Sequence, residues 1–340
     1  MRAIIYRGPG ALEFGEREAP VARPGEVVVE VAYVGICGSD LLMWEGGFDR
    51  VRPPVTMGHE FSGRVVAIGE GVELPLGQRV AVMPLISCGR CAPCRAGRTH
   101  VCETLGLYGI DRDGGAAELV RVPAASVYAI PDSLGLREAA LVEPTAVAHH
   151  MVRRAAIGAG SHVLVVGGGP IGALLALVGI AVEAASVRVS EPNPDRRSLL
   201  ESLGISVIDP TGREISELVS DIPDGPDVVV ELTGLGIGLD TALRAAATGA
   251  TVLLGGLAHA PLPVATSVAV FKELQLVGAR VYEAEDFAQA VSLLAAGAVP
   301  GASLITRVVP LEDAVDNAYG RLRTSPTDMK ILIEANGAPA

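Results

Sequence analysis

No apolar run in this chain is long enough to cross a bilayer. Across 340 residues the longest uncharged apolar stretch, Ile171 to Val182, is twelve residues, where a spanning helix needs roughly 20. The mean hydropathy of +0.41 therefore points to well-filled cores and a buried helix rather than a membrane anchor. Positive charge is also scarce. Against 39 Asp and Glu stand 27 Lys and Arg, a net charge of −12, so no basic field exists for nucleic acid or anionic lipid and small-molecule chemistry is expected. There is no low-complexity tail and no repeat of solenoid period. The opening Met1-Arg2-Ala3-Ile4-Ile5-Tyr6-Arg7 lacks an apolar core of signal-peptide length before its second arginine, and a reducing, cytoplasmic setting is expected.

Cysteine is scarce too, and its placement is informative. Of five cysteines, four fall within fifteen positions as C-x2-C-x2-C-x7-C: Cys88, Cys91, Cys94 and Cys102. Four thiolates this close can close a tetrahedral zinc cage with no further ligand, so a structural zinc is expected there. Disulfides are the alternative, and they require an oxidising compartment. The fifth, Cys37, precedes a His59-Glu60 pair by 22 residues.

A length of 340 residues suggests about two domains. The first part is strand-like. Val27 to Val34, Gly63 to Gly69 and Gln78 to Val82 are β-branched runs between Gly and Pro punctuation, and short strands with irregular loops suggest a barrel. The pattern changes near Glu143-Pro144. A helical segment leads to the apolar strand Ser161 to Val166, a glycine turn and the long apolar helix; Ser186–Ser190, Asp227–Leu232, Ala250–Leu254 and Leu274–Val281 follow as strand candidates. Strands alternating with helices predict a doubly wound parallel sheet. A helix is expected over Phe287 to Leu294, and the tail through Lys330-Ile331-Leu332-Ile333 is expected to rejoin the first domain.

Gly167-Gly168-Gly169-Pro170-Ile171-Gly172 satisfies G-x-G-x-x-G after a buried strand and before a helix. Gly167, Gly169 and Gly172 allow a tight turn and close backbone approach, and the helix starting at Pro170 and Ile171 offers free N–H groups to a pyrophosphate. Glu191 follows Gly172 by 19 positions, at the end of the next strand. A carboxylate there accepts ribose hydroxyls and repels a 2′-phosphate, favouring NAD over NADP. Arg196 and Arg197 could grip a phosphate, though the solvated face of the next helix is their expected place. Thr233, just past the Asp227–Leu232 strand, is counted among the cofactor-binding residues.

Cys37, His59 and a carboxylate from Glu60 or Glu143 supply sulfur, nitrogen and oxygen donors; three protein ligands plus an open position characterise a Lewis-acid zinc. Sequence separation alone does not pair them. Gly35-Ile36-Cys37-Gly38-Ser39-Asp40, Gly58-His59-Glu60-Phe61-Ser62-Gly63, the four-cysteine lobe, Val142-Glu143-Pro144 and the glycine turn occur in the order of the zinc-containing medium-chain dehydrogenases, which the chain resembles over essentially its whole length. Ser190 to Pro194 and Leu304 to Ala314 are similar to the polyol branch, with its sorbitol, (R,R)-butanediol and threonine dehydrogenases; aminocyclitol dehydrogenases are similar as well.

The resemblance implies a GroES-like catalytic domain over 1–143 and 284–340, with a structural zinc lobe at about 85–105, and a Rossmann NAD-binding domain over 144–283. It implies two zincs per chain. Cys37 and His59 bind the catalytic one, Glu60 binds it directly or exchanges with water, and Glu143 approaches it directly or through water. Asp40 would orient these ligands, and Ser39 would hydrogen-bond the substrate hydroxyl. The implied reaction is hydride transfer between a secondary alcohol (polyol, vicinal diol or cyclitol) and NAD. Alternatives are a biosynthetic ketone reductase of the same fold and a catalytically silent NAD-binding protein. A homodimer through the Leu276–Val281 region, or a tetramer, is implied. Relatives commonly carry a histidine five positions after the zinc cysteine, where this chain has Leu42; His149 or His150 could relay the proton instead. Met43, Trp44, Phe48, Leu85 and Ile86 resemble pocket-lining positions, and Met83 in place of the usual Glu suggests a more apolar pocket.

Overall fold

The β-branched run at Val27–Val34 forms the strand Glu26–Gly35, the hub of one of two units in the computed structural model. Residues 1–336 are described, apart from 223, 259, 325 and 326. The first unit comprises Met1–Glu143 and Glu283–Ala340, the second Pro144–Tyr282.

In the first unit a seven-stranded sheet runs Val127–Ala129, Arg79–Val82, Glu60–Ile68, Glu26–Gly35, Lys330–Glu334, Ile305–Pro310, with Leu119–Pro123 also paired to the hub. Val27, Val29 and Val31 meet Phe61, Val65, Val80, Ile331 and Ile333 in one core. Each such side chain contributes roughly 1.5–3 kcal/mol on burial, and a one-residue slip would carry Glu30 inward, so the register is held firmly. That register positions the chemistry. Gly35 opposes Glu60 on one side and Leu332 on the other, and continuing these antiparallel pairings brings Cys37, His59 and Lys330 to one end of the sheet. The tail therefore rejoins the first unit as a central strand.

The second unit holds six parallel strands in the order Ser206–Ile208, Ser186–Ser190, His162–Val166, Val228–Glu231, Thr251–Leu254, Gln275–Gly278. Numbered along the chain this order is 3-2-1-4-5-6, that of a doubly wound dinucleotide fold, whose strand order reverses beside the first strand. The glycine turn follows that strand. Its helix, Pro170–Ala181, buries eight residues from Gly172 to Gly179, which accounts for the apolar run without a membrane. Two expectations need adjusting. Ser206–Ile208 is an edge strand too short for its alternation to be read, and the Leu274–Val281 strand is limited to Gln275–Gly278; Val281 adopts φ +43, outside the β region. No helix among the described residues is long and apolar enough to cross a membrane.

Candidate active site

Donor atoms of Cys37, His59 and Glu60 lie within 4.8 Å of one another. Cys37 caps the helix Gly38–Trp44, and Asp40 in its first turn accepts from the Cys37 backbone N–H at 2.9 Å. Gly58 places His59: its φ is +90, and a Cβ there would come within 2.9 Å of the Ala116 nitrogen, so the turn admits only glycine. Gly35 makes room for the acid, since a Cβ would sit 2.2 Å from Glu60 Oε2.

The histidine is addressed from both ring nitrogens. Ser39 Oγ lies 3.3 Å from Nε2, and Asp40 Oδ1 lies 3.3 Å from Nδ1. The second contact has ion-pair distance without hydrogen-bond alignment, leaving both atoms without a protein hydrogen-bond partner. A carboxylate at Nδ1 keeps the proton there and turns the Nε2 lone pair toward a metal. Burial alone would lower the His59 pKa, yet the charges of Asp40 and Cys37 hold it well above its usual value. A ring so surrounded by anions is a place for a cation. His59, Glu60 and Asp40 are buried while Cys37 and Ser39 are half-buried, so the cluster opens on the sulfur and hydroxyl side.

Lys330, which the sequence reading did not single out, completes the cluster. Its Nζ donates to Glu60 Oε2 at 2.7 Å and Oε1 at 2.9 Å, and to the Ile36 carbonyl at 3.2 Å. Lys330 is 3% exposed. Burial would lower its pKa, but Glu60, followed by Cys37 and Glu143, raises it, so it stays charged. Glu60 is thus held at both oxygens by an ammonium while standing within reach of the other two donors. Glu143 is buried and acts on Lys330 through its charge; it is not one of the three clustered donors. The signal for Lys330 was available: the chain has only two lysines, and this one opens an apolar strand.

Tyr319 is fully buried and lies in the short π-helical turn Val315–Gly320. Its hydroxyl has no protein hydrogen-bond partner. Burial pushes its pKa well up, and the charges of Asp40 and Glu60 push it further.

In the cysteine lobe, Cys88, Cys91, Cys94 and Cys102 also group within 4.8 Å. Cys91 and Cys102 sulfurs stand 3.9 Å apart as free thiols. Tetrahedral zinc with bonds of about 2.3 Å separates its sulfurs by about 3.8 Å, whereas a disulfide needs about 2.05 Å. Backbone N–H groups of Cys88 and Cys91 donate to Cys102 and Cys88 sulfur at 3.3 Å. Backbone donors at Arg90 and Cys91 bring the Cys88 pKa down to about 6, while burial raises that of Cys94 to about 12. Both donor sets fit zinc: one is all sulfur and closed, the other mixed and open.

In the second unit a cavity of about 900 Å³ is lined by Gly167, Gly169, Pro170, Ile171, Gly172, Glu191, Arg196 and Thr233. A Cβ at Gly172 would meet the Gly167 carbonyl at 2.0 Å, and Gly169 caps the helix with no side-chain acceptor, leaving its first N–H groups for an anion. Glu191 is 4% exposed; Oε2 accepts from Gly168 N–H and Oε1 from Asn193 N–H, each at 2.8 Å. Arg196 and Arg197 are half-buried rather than solvated. Arg196 lines the cavity 4.0 Å from Glu191, and Arg197 is tied to the Glu191 and Pro192 carbonyls and to Asp209. Two further residues escaped the sequence reading: Arg213 lines the same cavity, and buried Glu231 holds the Thr233 and Gly234 N–H groups at 2.7 and 3.1 Å.

Family models match both parts of the chain, the alcohol dehydrogenase GroES-like domain over residues 23–132 and the zinc-binding dehydrogenase over 170–296. The 2-dehydro-3-deoxy-L-galactonate 5-dehydrogenase of Pseudoalteromonas atlantica is 38% identical over 340 residues, 99% of each chain. The chain belongs to the zinc-binding alcohol dehydrogenases. Among solved members of this family, a zinc-binding dehydrogenase of Sinorhizobium meliloti bound to NADP has a TM-score of 0.92 at 32% identity, covering 98% of each chain. An alcohol dehydrogenase of Escherichia coli CFT073 complexed with NADH has a TM-score of 0.90 at 30% identity, covering 98% of this chain and 99% of its own. The protein is accordingly an enzyme that interconverts an alcohol and its ketone, with zinc and a nicotinamide cofactor.

Not every position resembling the family's pocket faces one here. Met43 is fully buried in the core, where Trp44, Phe48 and Leu85 pack against it. Trp44 also lies under the Arg323 guanidinium at 4.7 Å. Ile86 lines a separate cavity of about 1070 Å³ with Arg17, Tyr108 and Arg112, which contains none of the clustered donors.

Proposed function

We propose that the protein oxidises a secondary alcohol on a polyhydroxylated skeleton to its ketone with NAD, using a catalytic zinc held by Cys37, His59 and Glu60 or Glu143. A second zinc belongs in the Cys88–Cys102 cage. The observation that carries this reading is the grouping of Cys37, His59 and Glu60 donors within 4.8 Å, with Ser39 Oγ 3.3 Å from His59 Nε2.

Zinc at that position would supply Lewis acidity toward the alcohol oxygen, and a bound nicotinamide the hydride acceptor. The chain does the rest. Ser39 is placed to accept the hydroxyl proton of a substrate entering on the half-buried side. Asp40 fixes the His59 tautomer, and Lys330 holds both Glu60 oxygens in place. Glu191 favours NAD: both of its oxygens are already oriented by backbone N–H groups and retain lone pairs for the ribose hydroxyls, while a 2′-phosphate would meet a buried carboxylate. Arg196 and Arg213 in the same cavity are the groups that would oppose that preference. The relative named for a sugar-acid 5-dehydrogenase supports an internal hydroxyl of a polyhydroxylated chain as the substrate class. Phe271 and Leu276 are 86% and 43% exposed beside the edge strand, which supports a homo-oligomer through that edge.

A panel of diols, sugar alcohols, cyclitols and sugar acids, assayed with NAD and with NADP on protein of measured zinc content, tests this reading. Turnover confined to primary alcohols, or an NADP preference of tenfold or more, would refute it.

A further inference from the structure

The separate cavity of the first unit, about 1070 Å³, is lined by four arginines: Arg17, Arg23, Arg112 and Arg121. In a chain with a net charge of −12, that grouping runs against the overall balance. Two of the four are neutralised within the fold. Arg121 pairs with Glu26 at 3.0 Å and donates to the Val21 carbonyl at 3.2 Å, and Arg17 pairs with Asp113 at 2.8 Å. Arg23 and Arg112 have no ion pair and no side-chain hydrogen bond among the described residues, and the lining holds one carboxylate, Glu18, in the same condition. Ile86 and Leu119 add apolar wall, and a parallel bridge sets Tyr108 beside Arg112. Guanidinium groups next to apolar surface suit an oxyanion carried on a short carbon skeleton, and the space matches the roughly 300–1,000 Å³ of small-molecule sites.

One wall of this cavity also reaches the candidate catalytic site. Asp113 takes Arg17 on Oδ2 and accepts the Thr56 backbone N–H on Oδ1, each at 2.8 Å. The Gly114 N–H donates to the Thr56 carbonyl and the Gly115 N–H to the Gly58 carbonyl, again at 2.8 Å. A Cβ at Gly114 would meet that Gly58 carbonyl at 2.1 Å. The segment from Arg112 to Gly115 therefore walls the cavity on one side and braces the turn before His59 on the other.

We propose that this cavity is a second ligand site, for a small organic anion carrying a carboxylate or a phosphate, and that its occupant alters turnover through the brace on the His59 turn. Arg23 and Arg112 supply the uncompensated positive charge, and an anion drawn to Arg112 bears on the residue next to Asp113. Neither arginine belongs to the clustered donors or to the dinucleotide cavity. Binding here is thus separable from binding at the glycine turn, where Arg196 and Arg213 also attract anions.

Calorimetric titration of the zinc-loaded protein with succinate and with phenyl phosphate, at an ionic strength fixed with sodium chloride, tests this on the parent and on the double variant Arg23→Gln/Arg112→Gln. The two probes separate a carboxylate from a phosphate source. Saturable binding of one of them is expected in the parent, weakened roughly tenfold or more in the double variant, the loss that follows removal of charge-assisted hydrogen bonds. The bound probe should change kcat without raising the KM for alcohol or cofactor. Without a probe, the double variant should keep the parent melting temperature and kcat. No saturable binding, equal affinity in the double variant, or an unchanged kcat would overturn the inference. An effect confined to the KM for the cofactor would also overturn it, by placing the anion at the glycine turn. So would a double variant of altered oligomeric state, because a second copy of the chain would then cover the cavity. None of these outcomes bears on the catalytic reading, which the substrate panel tests by itself.

Discussion

The two sulfur-bearing clusters of the first unit are built on opposite plans. In the lobe, four cysteines within fifteen residues supply every donor, the sulfurs accept from local backbone N–H groups, and the cage is complete without the rest of the fold. At the barrel end, one cysteine and an adjacent histidine–glutamate pair arrive from two strand ends through the register Gly35–Glu60, with Lys330 brought in by Gly35–Leu332, and charged neighbours hold them: Asp40 at the imidazole, Lys330 at the carboxylate. A local, single-donor cage can be closed and inert. A mixed cluster assembled by register can stay open on one side because its remaining valences are balanced by protein charges.

The sharpest way to break that contrast is to remove one sulfur from each cluster. Cys37→Ser is expected to reduce kcat/KM on the order of 10³-fold, since Lewis-acid stabilisation is worth several kcal/mol and each 1.36 kcal/mol is a decade; folding and one zinc should remain. Cys88→Ser should do the reverse, losing a zinc and lowering the melting temperature, with activity falling only as the protein unfolds. Elemental analysis beside melting curves separates the two, and equal effects on activity at equal stability would erase the distinction.

Lys330 tests the claim that protein charge balances the open cluster. In Lys330→Met the buried Glu60 carboxylate loses its cation, and breaking a buried pair on one side costs about 3–5 kcal/mol. Zinc supplies the missing positive charge. The variant should therefore be far less stable than the parent when stripped of metal, with part of the loss recovered on adding zinc, as read by denaturant unfolding with and without chelator. A loss that zinc leaves untouched would mean that Glu60 does not reach the metal.

What was readable in the sequence follows the same division. The cage, the glycine turn and the apolar strands His162–Val166 and Ser186–Ser190 are contiguous patterns, so spacing and periodicity reveal them. Cys37, His59 and Glu60 could be joined only through resemblance, because their proximity is a property of strand register. Lys330 was not seen for that reason: it opens an ordinary apolar strand and acquires a role by pairing with Glu60, 270 residues away in the chain. Met43 misled in the opposite direction. It is three residues after Asp40 on a helix whose buried face carries both, and it therefore packs inward.

In the second unit the comparison is with a site that needs no metal to balance its charge. Glu191 is held by two backbone N–H groups instead of a side-chain cation at bonding distance, so its charge remains available to discriminate cofactors. Glu191→Ala should weaken NAD and relieve NADP, shifting the ratio of kcat/KM values by about tenfold, the worth of one charge-assisted hydrogen bond. Arg196 and Arg213 would then be free to receive the 2′-phosphate. An unchanged ratio would place the preference with those arginines and not with the carboxylate.

The smallest expected effect concerns the open side of the barrel cluster, where a proton must leave. Ser39 and Leu42 are three residues apart on the Gly38–Trp44 helix, so they share a face, and Leu42 is only half-buried. An imidazole at 42 would stand one turn from the Ser39 hydroxyl. With an ordinary pKa of about 6.5 it accepts protons only above that pH, and at high pH solvent base makes it redundant. Leu42→His should therefore raise alcohol oxidation about threefold between roughly pH 6.5 and 8, a modest share of the 10²–10⁴ that positioned bases supply, with no gain at either extreme. Leu42→Asn controls for polarity and for packing against Gly47. A gain shared by both variants, or one that persists below pH 6, would show that the residue shapes the pocket and that the proton leaves by water.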